Sequence, residues 1–289
     1  MATINIHFFR KSSLEKVDYQ KILEFFDNLK DFEIYYNDDI VEIVHKDNEF
    51  NFSYRYLITK KSHVRNISKL DPKFSNINFL LEMPLMISTF LAKEILSTIQ
   101  KLCKLFELGI YHDSFDDVKA FNVVEFLAFF EKQRTLYIQE NGYQDKITFD
   151  EEKLNVICTF QRKVDHLVDY YHGEVNVNLC YPIVDKNTNE SGICYDWKFG
   201  TPIIFAPYVT FVNIIDEENQ KMLVRHDELL AILDKYLTEI ANFLPDMYIL
   251  KAKQAKKCKN LMKKIKKIVI DKDYKTLRLC DVIEAKYGN

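Results

Sequence analysis

The hydrophobic and polar positions in the first part of the chain switch between two periods, which predicts an α+β fold. Thr3–Phe9 alternates at every second residue and predicts a strand. Ser12 and Glu15 form a capping-box pattern, after which we expect a helix. The apolar face of that helix consists of Ile22, Phe25, Phe26 and Leu29. Three strands separated by turn-forming residues are then predicted to form a meander: Phe32–Tyr36, Ile40–His45 and Phe50–Thr59.

Longer apolar patterns follow the meander and predict one more strand and two long helices. The strand is Ile77–Met83, and the first helix is Ser88–Phe106 with an apolar stripe on one side. The second helix, Ser114–Gln139, is apolar around nearly its whole circumference. Helices of this kind are usually buried on several sides, so we expect the same here.

A polar stretch around Gly142 separates this region from the second half, which predicts domains at residues 1–145 and 146–289. Thr148 and Glu151 form a second capping-box pattern, for a helix that ends near His172. We expect five strands next: Val175–Val184, Ile193–Phe199, Ile203–Phe205, Tyr208–Ile215 and the short Met222–Arg225.

The C-terminal region is predicted to be mainly helical. Asp227 is expected to cap a helix that reaches Leu244, and a long helix is expected at Asp246–Ile270, after Pro245. The predicted fold is therefore α+β with two packed domains. Each domain is a mainly antiparallel sheet covered by helices, and the chain ends in a long basic amphipathic helix.

Composition narrows the range of functions. The 289 residues are 47% hydrophobic and 29% charged, which excludes collagen-like and disordered classes. The chain has 6 glycines and no GxxxxGK[ST], GxGxxG or GxSxG motif, so it offers no common phosphate-binding loop or nucleophile elbow. We therefore assign no catalytic residue and no cofactor, and we expect a binding or regulatory protein rather than an enzyme.

Positive charge is concentrated near the C-terminus. The formal net charge is −3, but residues 247–289 contain 13 basic and 4 acidic residues. At 100° per residue, the apolar positions of the expected helix fall on one side and eight lysines on the other. These are Lys253, Lys256, Lys257, Lys259, Lys263, Lys264, Lys266 and Lys267. We predict that they contact an anionic partner, chiefly RNA or a nucleoprotein. The alternative is a solvated helix face, because 33 lysines against 7 arginines also indicate an AT-rich source genome.

Three other segments have a functional interpretation and a structural one. His112–Asp117 gathers three carboxylates and an imidazole, which suits a divalent metal in a hydrolase, but acids there also suit the start of a helix. We assign no metal ligand. Trp197 and Phe199 lie near a turn and form either a protein interface or the end of a core. Phe50–Tyr56 places four aromatic rings on one strand face, either as a core stripe or as a platform for RNA bases.

The remaining features concern location. The six cysteines form no CxxC pair and no zinc pattern, which is typical of buried thiols in a reducing cytosol. The first residues alternate like a strand and precede Arg10 and Lys11, which is the reverse of the order in a signal peptide. The most apolar stretch is too short to span a bilayer. We therefore expect a cytoplasmic protein without a transmembrane segment, of undetermined oligomeric state.

Overall fold

The computed structural model describes residues 2–65, 67–142, 147–241 and 243–287, without the side chain of residue 287. The chain divides into two compact units, Met1–Gln144 and Asp145–Asn289, which we call unit 1 and unit 2. Both units combine helices with mainly antiparallel sheets. The α+β class predicted from the sequence is therefore confirmed.

Unit 1 is built on one seven-stranded antiparallel sheet. Its strands are β1 Thr3–Lys11, β2 Phe32–Tyr36, β3 Ile40–Asp47, β4 Phe52–Thr59, β5 Phe74–Pro84, β6 Leu108–Tyr111 and β7 Lys119–Ala120. The spatial order is β2-β3-β4-β5-β1-β6-β7, so the predicted meander is adjacent in space and β1 lies between β5 and β6. Successive side chains of a strand point to opposite faces, which separates Ile4, Ile6 and Phe8 from Asn5 and His7.

In the described part of unit 1, three α-helices accompany this sheet: α1 Tyr19–Asp27, α2 Thr89–Phe106 and α3 Val123–Asn141. The ring of Phe26 in α1 lies 4.7 Å from that of Tyr56 in β4, so α1 covers the apolar face of the sheet. Helix α2 begins at its N-cap Ser88, where the sequence predicts it, and buries its apolar stripe.

The first helix begins later than predicted. Its N-cap is Asp18, whose side chain accepts a hydrogen bond from the backbone N–H of Gln20. The hydroxyl of Ser12 instead donates to the carbonyl of Pro72, 3.0 Å away. The capping-box interpretation of Ser12 is therefore wrong, because a partner distant in sequence binds that hydroxyl.

Helix α3 also differs from its prediction. It begins after Asn122, which accepts hydrogen bonds from two backbone N–H groups of the first turn, and not near Ser114. Its buried residues are Phe126, Phe130 and Arg134, which lie four residues apart. The helix is therefore buried along one side, and the expectation of burial on several sides is wrong.

The described residues of unit 2 form three sheets in place of the single sheet expected for this half. Its strands are β8 Ile147–Phe149, β9 Tyr181–Asp185, β10 Ser191–Lys198, β11 Ile203–Phe205, β12 Phe211–Ile215, β13 Lys221–Arg225, β14 Thr238–Glu239, β15 Tyr248–Leu250, β16 Tyr274–Thr276 and β17 Val282–Glu284. The sheets have the orders β13-β12-β10-β9-β16, β11-β15-β14 and β17-β8. The pairs β10–β12 and β8–β17 are parallel, and the other pairs are antiparallel.

The helices of unit 2 are shorter than predicted. They are α4 Glu151–Arg162, α5 Val164–Tyr170, α6 His226–Leu233, α7 Ala252–Cys258 and α8 Met262–Ile265. The N-cap of α4 is Asp150, since Thr148 already belongs to β8. Helix α6 ends at Leu233, because the following residues form a 3₁₀ turn and then the strand β14.

The single long helix predicted at Asp246–Ile270 is not present. Its first part is the strand β15, which pairs with β11, and a 3₁₀ turn at Lys259–Leu261 separates α7 from α8. At the other end, the backbone N–H of Ile270 donates to the carbonyl of Leu223 in β13. Both ends are rich in aromatic or β-branched residues, which favour strands when a pairing partner is available.

Candidate functional site

Residues 251–267, which we call the lysine segment, pack on unit 2 through one apolar side. Ala255, Cys258 and Ile265 are fully buried, and Leu261 is 7% exposed. Helix α8 packs against α6, and α7 packs against the 3₁₀ turn at Asp234–Tyr236. The 3₁₀ turn in the middle does not break the apolar side, so the segment is held along most of its length.

The other side of the lysine segment is basic and exposed. All eight lysines named from the sequence are exposed: Lys253, Lys256, Lys257, Lys259, Lys263, Lys264, Lys266 and Lys267. The predicted separation into an apolar side and a basic side is therefore present, although the segment is not one continuous helix. The separation survives because a 3₁₀ turn of three residues shifts the helical phase by only about 60°, less than the width of the apolar side.

One of these lysines has an acidic neighbour. Lys259 Nζ lies 2.5 Å from Glu217 Oε1, in the turn between β12 and β13, and its aliphatic chain passes over Gly200. Within the described ranges, none of the other seven lysines has a carboxylate oxygen within 4 Å. The segment therefore presents at least seven ammonium groups without an ion-pair partner in the described part of the chain.

The aromatic strand of unit 1 is part of the core. Phe50, Phe52, Tyr54 and Tyr56 are 1%, 8%, 6% and 0% exposed. Tyr56 packs against Phe26, and its ring stacks on Phe79 at 5.6 Å. These rings are therefore not available for stacking with RNA bases.

Trp197 and Phe199 also lie in a core. Trp197 is fully buried and Phe199 is 7% exposed, with their ring centroids 5.2 Å apart. The indole N–H donates to the carbonyl of Thr201 at 3.1 Å. The protein-interface prediction for these two residues is therefore not supported, because unit 2 itself covers both rings.

The carboxylates of His112–Asp117 do not converge. Asp117 accepts hydrogen bonds from the backbone N–H groups of Asp71 and Val118. Asp113 lies 3.9 Å from Arg65, and no group of residues in the described ranges has the arrangement of a metal site. The helix-start interpretation is also wrong, because these residues form a turn well before α3.

The structure places His112 and Asp113 beside residues that the sequence did not connect with them, including His63 and Arg65, which follow the aromatic strand. They line a cavity of about 490 Å³ on the polar face of the unit 1 sheet, which we call the histidine cavity. Its polar lining residues are Thr3, Asn5, His7, Arg55, Thr59, His63, Arg65, Glu82, His112 and Asp113. Their positions range over the first 113 residues, so no local motif could have revealed them.

Strand register builds the floor of the histidine cavity. Glu82 of β5 is paired with Asn5 on one side and Arg55 on the other. In the next row, Leu80 is paired with His7 and Leu57. Residues directly opposite in adjacent strands point to the same face, so both rows face the cavity.

Burial changes the protonation of two of these histidines. Desolvation lowers the pKa of His7 to about 4, against a smaller opposing effect of Asp113, so its ring is neutral at pH 7. Desolvation also lowers the pKa of His112. The Nδ1 atom of His112 accepts the backbone N–H of Ser114 at 3.1 Å, which leaves Nε2 to carry the proton of the neutral ring.

The histidines on and after α5 and the six cysteines have ordinary surroundings. His166 and Asp169 are exposed on α5, and His172 follows the helix with a positive φ, so these residues form a solvated surface. The six cysteines are buried free thiols. Burial raises the pKa of Cys103 and Cys194 to about 12, so neither is a ready nucleophile.

Comparison of the chain with protein-family models, curated proteins and solved structures found no match. In the described ranges, no helix has the length and apolar character needed to cross a bilayer.

Proposed function

We propose that this protein binds RNA through the lysine segment and acts as a binding or regulatory protein. The supporting observation is the exposure of all eight lysines on one side of a segment whose apolar side is buried. Nine lysines and no acid occur between Lys251 and Lys267. A polyanion that contacts such a surface releases condensed counterions, which supplies most of the binding free energy.

The packing of the segment favours RNA over a membrane surface. An amphipathic helix binds a bilayer by inserting its apolar side among the lipids. Here that side is occupied, because Ala255, Cys258 and Ile265 are fully buried in unit 2. The exposed side carries mainly lysine ammonium groups, which suits phosphate groups of a nucleic acid backbone.

The proposal includes a cytoplasmic location. It is supported by the six buried free thiols, since proteins of oxidising compartments usually carry disulfides. The mode of binding would be independent of base sequence, because lysines contact phosphate and the aromatic strand is buried.

The test replaces four helical lysines, Lys256, Lys257, Lys263 and Lys264, by Gln. Gln keeps helix propensity and leaves the buried side unchanged. We expect the affinity for a labelled oligouridylate to fall about tenfold or more at moderate salt. The slope of log K against log salt should also fall by up to about 0.7 for each lost phosphate contact.

The matched control replaces four exposed helical lysines of unit 1, Lys21, Lys93, Lys101 and Lys132, by Gln. It makes the same change in net charge, so its affinity should stay within about twofold of the unaltered protein if the segment is the site. Trp197 fluorescence verifies the fold of unit 2. Equal loss in both variants contradicts the proposal, as does binding to phosphatidylserine vesicles but not to RNA.

A further inference from the structure

The histidine cavity contains a buried side chain whose polar atoms are unused. His7 is 6% exposed, and neither of its ring nitrogens has a hydrogen-bond partner in the described part of the chain. The side chain as a whole is buried, but neither ring nitrogen is a fully buried atom without a partner, so both nitrogens are accessible from the cavity. A ligand in the cavity is therefore within reach of a polar side chain that the fold itself does not use.

The cavity is also rich in nitrogen donors at its rim. Arg65 is 85% exposed, and its nearest carboxylate, Asp113, is 3.9 Å away, beyond hydrogen-bond distance. His63 is exposed in the same loop, and the Nε2 atom of His112 is free to donate. These groups come from three parts of the chain and line one cavity.

Each carboxylate that lines the cavity forms an ion pair with an arginine. Glu82 accepts a hydrogen bond of 2.6 Å from Arg55, which also lies 3.4 Å from Glu42. Asp113 is partly compensated by Arg65. The lining groups best suited to an oxyanion are therefore the three imidazoles and Arg65, whose 3.9 Å ion pair with Asp113 involves no hydrogen bond.

We propose that the histidine cavity binds the phosphoryl group of a small molecule, with Arg65 and His63 contacting it at the rim and His7 donating from the floor. Guanidinium groups match phosphate oxygens in pairs, and an imidazole N–H adds a single donor. At about 490 Å³ the cavity is larger than inorganic phosphate needs and is within the range of small-molecule sites. The organic part of the ligand would lie over Leu57 and Leu80, which with Ile40 are the apolar residues of the lining. This proposal does not depend on RNA binding by the lysine segment.

The test measures histidine ring resonances by NMR while inorganic phosphate is added at pH 7 in a phosphate-free buffer. We expect the resonances of His7 and His63 to shift with saturation, and those of the exposed His166 to stay unchanged. Ribose 5-phosphate and adenosine monophosphate then distinguish a sugar phosphate from a nucleotide as the organic part. Absence of a saturable shift with all three probes overturns the proposal.

Three variants locate the binding group. Arg65→Gln should weaken phosphate binding about tenfold or more, because it removes a charged donor. Lys61→Gln removes the same charge from the same loop but from a residue that does not line the cavity, and should leave binding within about twofold. Asp113→Asn removes a competing negative charge and should strengthen binding. Since Arg65 and Asp113 are exposed, both variants should fold, and equal affinity in all three variants contradicts the proposed site.

Discussion

The lysine segment and the histidine cavity are opposite kinds of site. The lysine segment spans residues 251–267 and its character is visible in the local sequence, because helical spacing alone separates lysines from apolar residues. The histidine cavity draws its lining from four strands and two loops of unit 1. Only His112 and Asp113 were singled out from the sequence, and for a different chemistry from the one proposed here.

The difference between the two sites lies in how each is positioned. The basic side of the lysine segment depends on one docked apolar side, while the floor of the histidine cavity depends on the register of three adjacent strands. A small change in packing should therefore move the lysine segment as a whole. A comparable change in the sheet should alter the relative positions of residues within the cavity.

The largest expected effect is a loss of folding stability when a buried side chain beneath either site is shortened. Ile265→Ala in unit 2 and Leu80→Ala in unit 1 should each lower the free energy of unfolding by about 2–5 kcal/mol. Val124→Ala, at a position 77% exposed, should change it little. Urea denaturation followed by circular dichroism measures all three, and Trp197 fluorescence reports unit 2. An unchanged stability for Ile265→Ala would show that the lysine segment is not docked.

Acid should destabilise both units through one buried histidine in each. Desolvation lowers the pKa of His7 and of His226 from 6.5 to about 4. Between these values the unfolded chain binds more protons than the folded chain. The stabilisation from each neutral ring is therefore complete above about pH 6.5 and is lost as pH falls toward 4. We expect a loss of about 2–3 kcal/mol per histidine.

The measurement is the free energy of unfolding between pH 7 and 4, for the unaltered protein and for His226→Gln. The variant removes the titrating group from unit 2, so the pH dependence of the Trp197 transition should become flatter. His166→Gln, at an exposed position, is the control and should keep the original dependence. A dependence that is identical in all three proteins would contradict the burial of His226.

The smallest expected effect is a change in RNA affinity when Glu217, the acidic neighbour of the lysine segment, loses its charge. Glu217→Gln removes the carboxylate that pairs with Lys259, and should raise affinity for oligouridylate by about twofold, since exposed ion pairs are weak and screened by salt. Glu218→Gln, in the same turn, changes the net charge equally without breaking that pair. Filter binding at low salt compares them, and a weaker affinity for Glu217→Gln would mean that the pair orients Lys259 for binding.

Local sequence patterns predicted those elements whose neighbours in space are also neighbours in the chain. The meander β2–β3–β4 and helix α2 lie where period and capping residues place them. Turns in the meander fix the register between consecutive strands, so these strands could be predicted without knowledge of any distant contact.

Predictions failed where a residue with a local capping or helical pattern instead bonds to a residue distant in the chain. The hydroxyl of Ser12, a plausible cap, binds Pro72, and Tyr248–Leu250 pairs with β11 in place of extending a helix. Trp197 was ambiguous in the sequence because burial of a ring beside a turn depends on what packs over it. In unit 2 that cover includes Phe205, 5.5 Å from the indole.

The sequence by itself determined that unit 1 and unit 2 are α+β and that residues 251–267 have a basic side and an apolar side. These properties follow from periodicity and from the high cost of burying an unpaired ammonium group. Only the tertiary structure decided where α7 and α8 begin and end. It also decided that His7, Arg65 and His112 line one cavity. The first depends on the pairing of β15 with β11, and the second on the pairing of β1 with β5 and β6. These strands are far apart in the chain, and hydrophobic periodicity within a segment does not encode their pairing.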